Sequence, residues 1–348
     1  MKFLFFGAGA IGAYIGGSLA LAGYDVAFVE QPKPAEILRR DGLNLSIGLK
    51  THSIPVREVY AGAVDAIRES AADLAVFALK SYDTAAAIEP LKPSGVLLPP
   101  ALCLQNGVEN EAALECVFGS GRVIAGTVTS AVGRGRTGGF TLERKRGMGV
   151  AAGCDLSVSL VEAFNRAGLN ARLYPSAPAM KWSKLFTNLA ANASSAILGM
   201  TPRAIFSDPQ LFRFEREMLR ECLRVMRAGR IPLTDLPGTP VRLLALAVQR
   251  LPRALAQPVL ARAVGGGRGG KMPSFYLDIN SGRGKTEVEW LNGAVVRTGA
   301  RLGVDTPVNR LLTDTVNRLA QDPSLRMEFL EKPGALIGLL ASLRPASR

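Results

Sequence analysis

The sequence predicts an α/β chain in which a doubly wound, mostly parallel sheet is followed by an all-helical second domain. Three observations lead there. The N-terminus runs strand, glycine turn, helix, strand; short apolar runs then alternate with helical stretches as far as Leu104; and from Tyr174-Pro175 the pattern changes to long helical runs. A chain of 348 residues, 48% hydrophobic, can bury two cores, so the change of pattern is read as a boundary between domains 1–173 and 174–340.

The first element is FLFFGAGAIG, from Phe3 to Gly12, an apolar strand that ends in Gly7, Gly9 and Gly12. Gly7 permits a tight turn, Gly9 lets the backbone approach a pyrophosphate, and Gly12 lets the following helix lie close to the strand. With Ala8, Ala10 and Ile11 they make a candidate cradle for a dinucleotide on a helix N-terminus, the Rossmann-type arrangement. The second strand, residues 26–29, ends at Glu30, which lies 18 positions after Gly12 and near the ~20 expected of a ribose-binding carboxylate. A secretory leader does not fit this stretch. Six glycines between Phe3 and Gly23 spoil a hydrophobic helix, and residues 28–30 continue a sheet. No later stretch reaches the ~20 apolar residues of a membrane span.

Residues 35–40 read as a helix, and residues 43–49 and 53–59 as short alternating strands. Two compact apolar strands follow: 74–79, ending at Lys80, and 96–104, ending at Gln105-Asn106-Gly107. In a parallel, doubly wound sheet, ligands bind at the C-terminal ends of the strands, where Glu30, Lys80 and Asn106 all fall. The glycine-rich stretch 133–149, with alternation over 137–143, predicts an antiparallel hairpin at the sheet edge. The second half predicts helices over 178–200, 209–228, 240–264, 275–302 with a glycine break, and 308–321, punctuated by Pro202, Pro232, Pro252 and Pro258. GGGRGG at 265–270 resembles a linker.

Composition narrows the chemistry. Cys103, Cys116, Cys154 and Cys222 are scattered, with no CxxC and no histidine partners, which fits reduced core thiols of a cytoplasmic protein. His52 is the one histidine and sits in a polar, strand-like setting that favours a structural role, so no metal site is expected. Residues 1–170 balance 16 basic against 16 acidic side chains, whereas 171–348 carry 26 against 13, so the net +13 resides in the second half. Between Asp235 and Asp278 there is no acid. Such a field attracts anionic small molecules, nucleic acid or membrane without distinguishing them. The basic residues are spaced singly, however, and the reading favoured is a solvated arginine-rich face with neither nucleic acid nor membrane as partner.

Residues 185–202 carry no charge, and they follow Lys184. On one helix Lys184, Asn188 and Asn192, at i, i+4 and i+8, form a single stripe. Asparagine is a poor choice for a solvent-facing helix, so the stripe predicts a buried polar seam that serves either a ligand or a satisfied internal network.

With these pieces in place, the chain resembles the ketopantoate reductase family (2-dehydropantoate 2-reductases) over nearly its whole length. The resemblance rests on GAGAIG, Leu79-Lys80, Gln105-Asn106-Gly107, the strand from Gly126 to Ala131, Lys184 with Asn188 and Asn192, Ser274 in the run to Asp278, and Thr286-Glu287 with Asn292-Gly293. It implies a Rossmann domain and a helical substrate domain with the active site in the cleft between them. It further implies Lys184 as general acid, Asn188, Asn192 and Ser274 as ligands of the hydroxy acid, Asn106 between nicotinamide and substrate, and Ala131 and Glu287 near the cofactor. The family norm is NADP(H), with an arginine after the second strand. Here that place holds Glu30-Gln31, which favours NAD(H) because a carboxylate binds ribose hydroxyls and repels a 2′-phosphate. The stretch from Asp278 to Glu287 is one residue longer than the family spacing, and the acid-free segment has no clear counterpart there.

The activity so implied is reduction of 2-dehydropantoate to pantoate, a step of pantothenate biosynthesis, by a possible homodimer acting on a small-molecule 2-oxo acid. Two alternatives stand beside it: the same mechanism on another branched 2-oxo acid, and a dinucleotide-responsive binding protein with an anionic partner. Lys184 separates the last from the enzymes, because a sensor has no use for a proton donor on a polar seam.

Overall fold

The structure is a computed structural model that describes residues 1–135, 139–268 and 271–343. The chain divides into two compact units, Met1–Lys181 with Asp235–Thr239, and Trp182–Thr234 with Pro240 onward.

The first unit contains β1 (Lys2–Phe6), β2 (Asp25–Val29), β3 (Leu43–Ile47), β4 (Lys50–Ile54), β5 (Glu58–Tyr60) and β6 (Leu74–Phe77). They are followed by β7 (Ala101–Cys103), β8 (Val123–Val128), β9 (Ala131–Arg134), β10 (Phe140–Arg144), β11 (Met148–Ala151) and β12 (Ala171–Tyr174). Among the described residues, eight of these make one sheet in the order β12-β11-β8-β7-β6-β1-β2-β5. From β5 to β8 every neighbour is parallel, and only β8 and β11 pair antiparallel. The run β5-β2-β1-β6-β7-β8 has the doubly wound order, with the winding reversing beside β1. Alternation along β1 buries both faces: Phe3 and Phe5 join one core, Leu4 and Phe6 the other. Phe5 stacks on Phe28 at 5.4 Å and Phe6 on Phe77 at 4.5 Å, so aromatic pairs fill both layers.

The helix Ala10–Leu21 is apolar on every side and must be covered on every side. A second sheet, β4-β3-β10-β9, supplies the cover. A Cβ placed on Gly17 would stand 3.2 Å from both Ile54 and Leu45 of this sheet, so the glycine allows its close approach. The expected hairpin is therefore present as β9 and β10, but it belongs to this second sheet through parallel pairing of β10 with β3, not to the edge of the large one. The first residues of its alternating run, 137 and 138, lie outside the described residues.

Prolines and packing shorten other expected runs. Of the strand expected over 96–104 only Ala101–Cys103 pairs, because Pro99 and Pro100 cannot extend the ladder. The run 53–59 is divided between β4 and β5 around Pro55. The strand expected from Gly126 to Ala131 ends at Val128, and Ala131 begins β9. Cys103 and Cys222 are buried thiols as expected; Cys154 is half-buried and Cys116 exposed, so those two are not core residues.

In the second unit, Asp208 caps the helix Pro209–Ala228 by accepting the N–H groups of Gln210 and Leu211. This helix buries two glutamates. Glu221 accepts the N–H groups of Val308 and Asn309 at 2.9 Å and the Asn309 amide at 2.7 Å, holding the start of the helix Pro307–Gln321. Burial nevertheless raises its carboxyl above the ordinary range, outweighing these hydrogen bonds. Glu215 accepts the Ala191 N–H at 2.8 Å and the Ser194 hydroxyl. Ala191 is left-handed, with φ 53°, so the helix expected over 178–200 is two helices, Ala177–Leu189 and Asn192–Leu198. The run 240–264 likewise splits at Leu251-Pro252 into Val241–Arg250 and Arg253–Arg268. Residues 265–268 of the linker-like patch are thus helical, and 269–270 lie outside the described residues.

Candidate active site

The C-terminal ends of β1, β2, β6 and β7 carry Gly7, Glu30, Lys80 and Asn106, and because these strands are parallel neighbours the four lie along one sheet edge. Each glycine has a distinct geometric reason. Gly7 has φ +99°, and a Cβ there would stand 3.2 Å from the Leu79 nitrogen. A Cβ on Gly12 would overlap the Gly7 carbonyl oxygen. Gly9, in contrast, has nothing within 4 Å of its Cβ position and caps the helix Ala10–Leu21 in extended conformation. Open space over backbone N–H groups at a helix N-terminus is what a pyrophosphate needs. Glu30 closes one side of the turn by accepting the Ala8 N–H at 2.5 Å. These residues fit a dinucleotide. Ala131, half-buried, opens β9 of the sheet that covers the same helix.

Asn106 is held through its backbone. Its carbonyl accepts the Ser81 hydroxyl at 3.1 Å and the Asn110 amide at 2.6 Å, while the side chain of Gln105 donates to the Leu79 carbonyl at 3.2 Å and to Thr84 at 2.7 Å. The strand ends bearing Lys80 and Asn106 are therefore cross-linked to each other. A group absent from the sequence reading lies against the Asn106 strand end: Lys181, 4% exposed, donates to the Gln105 carbonyl at 2.7 Å and pairs with Glu111 at 2.7 Å. Its one sequence signal is a lysine set between the buried Met180 and Trp182.

In the second unit Lys184 and Asn188 share a half-buried stripe of the helix Ala177–Leu189, against buried Leu185, Phe186 and Leu189. Asn192 is not on that stripe, because the break at Ala191 places it at the start of the next helix. There it is 3% exposed, accepts the Phe275 N–H at 3.2 Å and donates to the Ser274 hydroxyl at 3.3 Å. The structure thus brings Asn192 and Ser274 together, and Asn192 also secures the first turn of the helix Ser274–Asn280. Glu287 is buried just before the short turn Val288–Trp290. Asn292, from the same motif, is wholly buried and donates to Asn309, which binds Glu221, so its role is internal. His52 is half-buried on β4 opposite Leu45. Among the described residues no group of three or more His, Cys, Asp or Glu is arranged to hold a metal ion, and no helix is long and apolar enough to cross a membrane.

Residues 3–152 match the family model for ketopantoate reductase PanE/ApbA, and residues 178–320 match its C-terminal model. The 2-dehydropantoate 2-reductase of Archaeoglobus fulgidus is 29% identical over 317 residues, covering 89% of this chain and 95% of that protein. That of Pyrococcus horikoshii is 28% identical over 90% and 95%. Among solved structures, a PanE/ApbA family ketopantoate reductase from Ralstonia eutropha JMP134 superposes with a TM-score of 0.78 at 28% identity, over 93% of this chain and 99% of that one. The complex of D-mandelate dehydrogenase with NADH shares the fold, with a TM-score of 0.73 at 21% identity over 92% and 99%.

Proposed function

The chain belongs to the ketopantoate reductase family, and from that premise we propose that it reduces 2-dehydropantoate to pantoate with a nicotinamide nucleotide in the cytoplasm. The observation that carries the reading is the glycine turn, where Gly9 lies open while Gly7 and Gly12 are closed by their neighbours. When bound, the nucleotide supplies a hydride to C2 of the 2-oxo acid. Lys184 holds a proton toward the carbonyl oxygen, polarises it, and releases the proton as the alkoxide forms. Asn188, Asn192 and Ser274 orient the acid by hydrogen bonds, and Asn106 fixes the nicotinamide.

The preferred nucleotide on this reading is NADH. Glu30 accepts the Ala8 N–H beside the glycine turn, and a carboxylate at this strand end favours ribose hydroxyls and repels a 2′-phosphate. Oxidation of NADH and NADPH with 2-dehydropantoate, beside a panel of other branched 2-oxo acids, tests both statements. Absence of turnover with every acid overturns the reductase reading.

A further inference from the structure

Resting on that reading, we infer that Lys181 is a positioning residue for the reaction, a clamp that joins the helix carrying Lys184 to the turn carrying Asn106. Its ammonium donates to the Gln105 carbonyl at 2.7 Å and the Gly126 carbonyl at 3.4 Å, and pairs with Glu111 at 2.7 Å. Gln105 immediately precedes Asn106, and Lys181 precedes Lys184 by three residues, just under one turn of the helix Ala177–Leu189. One side chain therefore ties the backbone leading into the nicotinamide residue to the helix of the proton donor.

Stability alone does not account for a lysine in this place. Burying an ammonium is costly, and a buried ion pair is commonly no better for stability than apolar side chains of similar volume. What the pair provides instead is directional: a charged donor aimed at the Gln105 carbonyl, which an apolar side chain cannot replace. Burial by itself would lower the pKa of Lys181, but the Glu111 carboxylate, by charge and by hydrogen bond, outweighs it and the ammonium is held above its ordinary value. It stays charged at neutral pH and acts as an anchor, leaving proton transfer to Lys184.

The test compares wild type with Lys181→Met and with the charge-neutral double variant Lys181→Met/Glu111→Leu. It measures thermal unfolding, NADH affinity by fluorescence, kcat, KM, and the isotope effect with deuterated NADH. The double variant is expected to unfold near the wild-type temperature and to bind NADH within about threefold, yet to lose about 10²-fold in kcat, because displacement of reacting groups by ~1 Å costs this much. Hydride transfer, and with it a full isotope effect, becomes rate-limiting. A double variant with wild-type kcat, or one whose kcat falls only in step with NADH affinity and unfolding temperature, overturns the inference. Should neither Lys181 variant fold, Glu111→Gln carries the test: kcat reduced severalfold at unchanged NADH affinity supports the clamp, and unchanged kcat overturns it. A wild type that turns over no 2-oxo acid overturns the reductase reading and the clamp together, whereas an active wild type that the double variant equals overturns the clamp alone.

Discussion

The Glu30 carboxylate accepts the backbone N–H of Ala8, so the acid at the end of β2 is fastened to the glycine turn at the end of β1. On the proposed reading, a carboxylate at this strand end binds the ribose of a dinucleotide whose pyrophosphate rests over Gly9. Glu30→Ala is expected to raise kcat/KM for NADPH relative to NADH by about tenfold, equivalent to ~1.4 kcal/mol. Steady-state kinetics with both nucleotides checks it; a wild-type preference for NADPH that the substitution leaves unaltered would show that Glu30 does not read the ribose.

Gly9 and Gly12 are both glycines of the turn, but the structure gives their substitutions opposite outcomes. A methyl on Gly9 enters open space, so Gly9→Ala is expected to fold with an unchanged melting temperature and to bind nucleotide at least about tenfold more weakly, the methyl standing where phosphate oxygens belong. A methyl on Gly12 overlaps the Gly7 carbonyl, so Gly12→Ala must displace the helix from the strand and lower the melting temperature as well. Calorimetry with nucleotide titration separates the two, and equal thermal stability of both variants would refute the assignment.

Asn192 bonds the Phe275 N–H, and this changes what its removal is expected to do. Asn192→Ala leaves a buried backbone donor unpaired, at a cost of ~1–3 kcal/mol, and is expected to lower the melting temperature by several degrees as well as raise KM for the 2-oxo acid. Asn188, half-buried on the Lys184 stripe, is expected to raise KM without a thermal effect when changed to alanine. Thermal melts and KM values of the two variants decide; a thermal loss at Asn188 equal to that at Asn192 would place both in the internal network.

The parts of this protein that were legible beforehand are those whose causes are local. Gly7, Gly9 and Gly12 specify turn, approach and packing within one strand and one helix turn, and the uncharged helix Ala10–Leu21 announces its own burial. The helix break at Ala191 was not legible, because the carboxylate that takes its freed amide is Glu215, 24 positions away. Nor was the seating of β9 and β10, which depends on β3 offering a free edge nearly a hundred residues earlier. Lys181 stood in plain view beside Lys184, but its meaning rests on Glu111 and Gln105, whose nearness only the folded sheet creates. Pattern together with resemblance proposes Lys184 and Asn188, and resemblance alone proposes Ser274; the structure adds where each stands within its helix.

Lys184 is proposed to supply the proton in a nicotinamide-dependent reduction of 2-dehydropantoate. The most direct measurement of this role is the turnover of wild type and Lys184→Ala with this acid at saturating NADH, with nucleotide affinity titrated in parallel. A kcat lowered by ~10² to 10⁴ and a nearly unchanged nucleotide Kd are expected. A variant that keeps more than about half of wild-type turnover would contradict it.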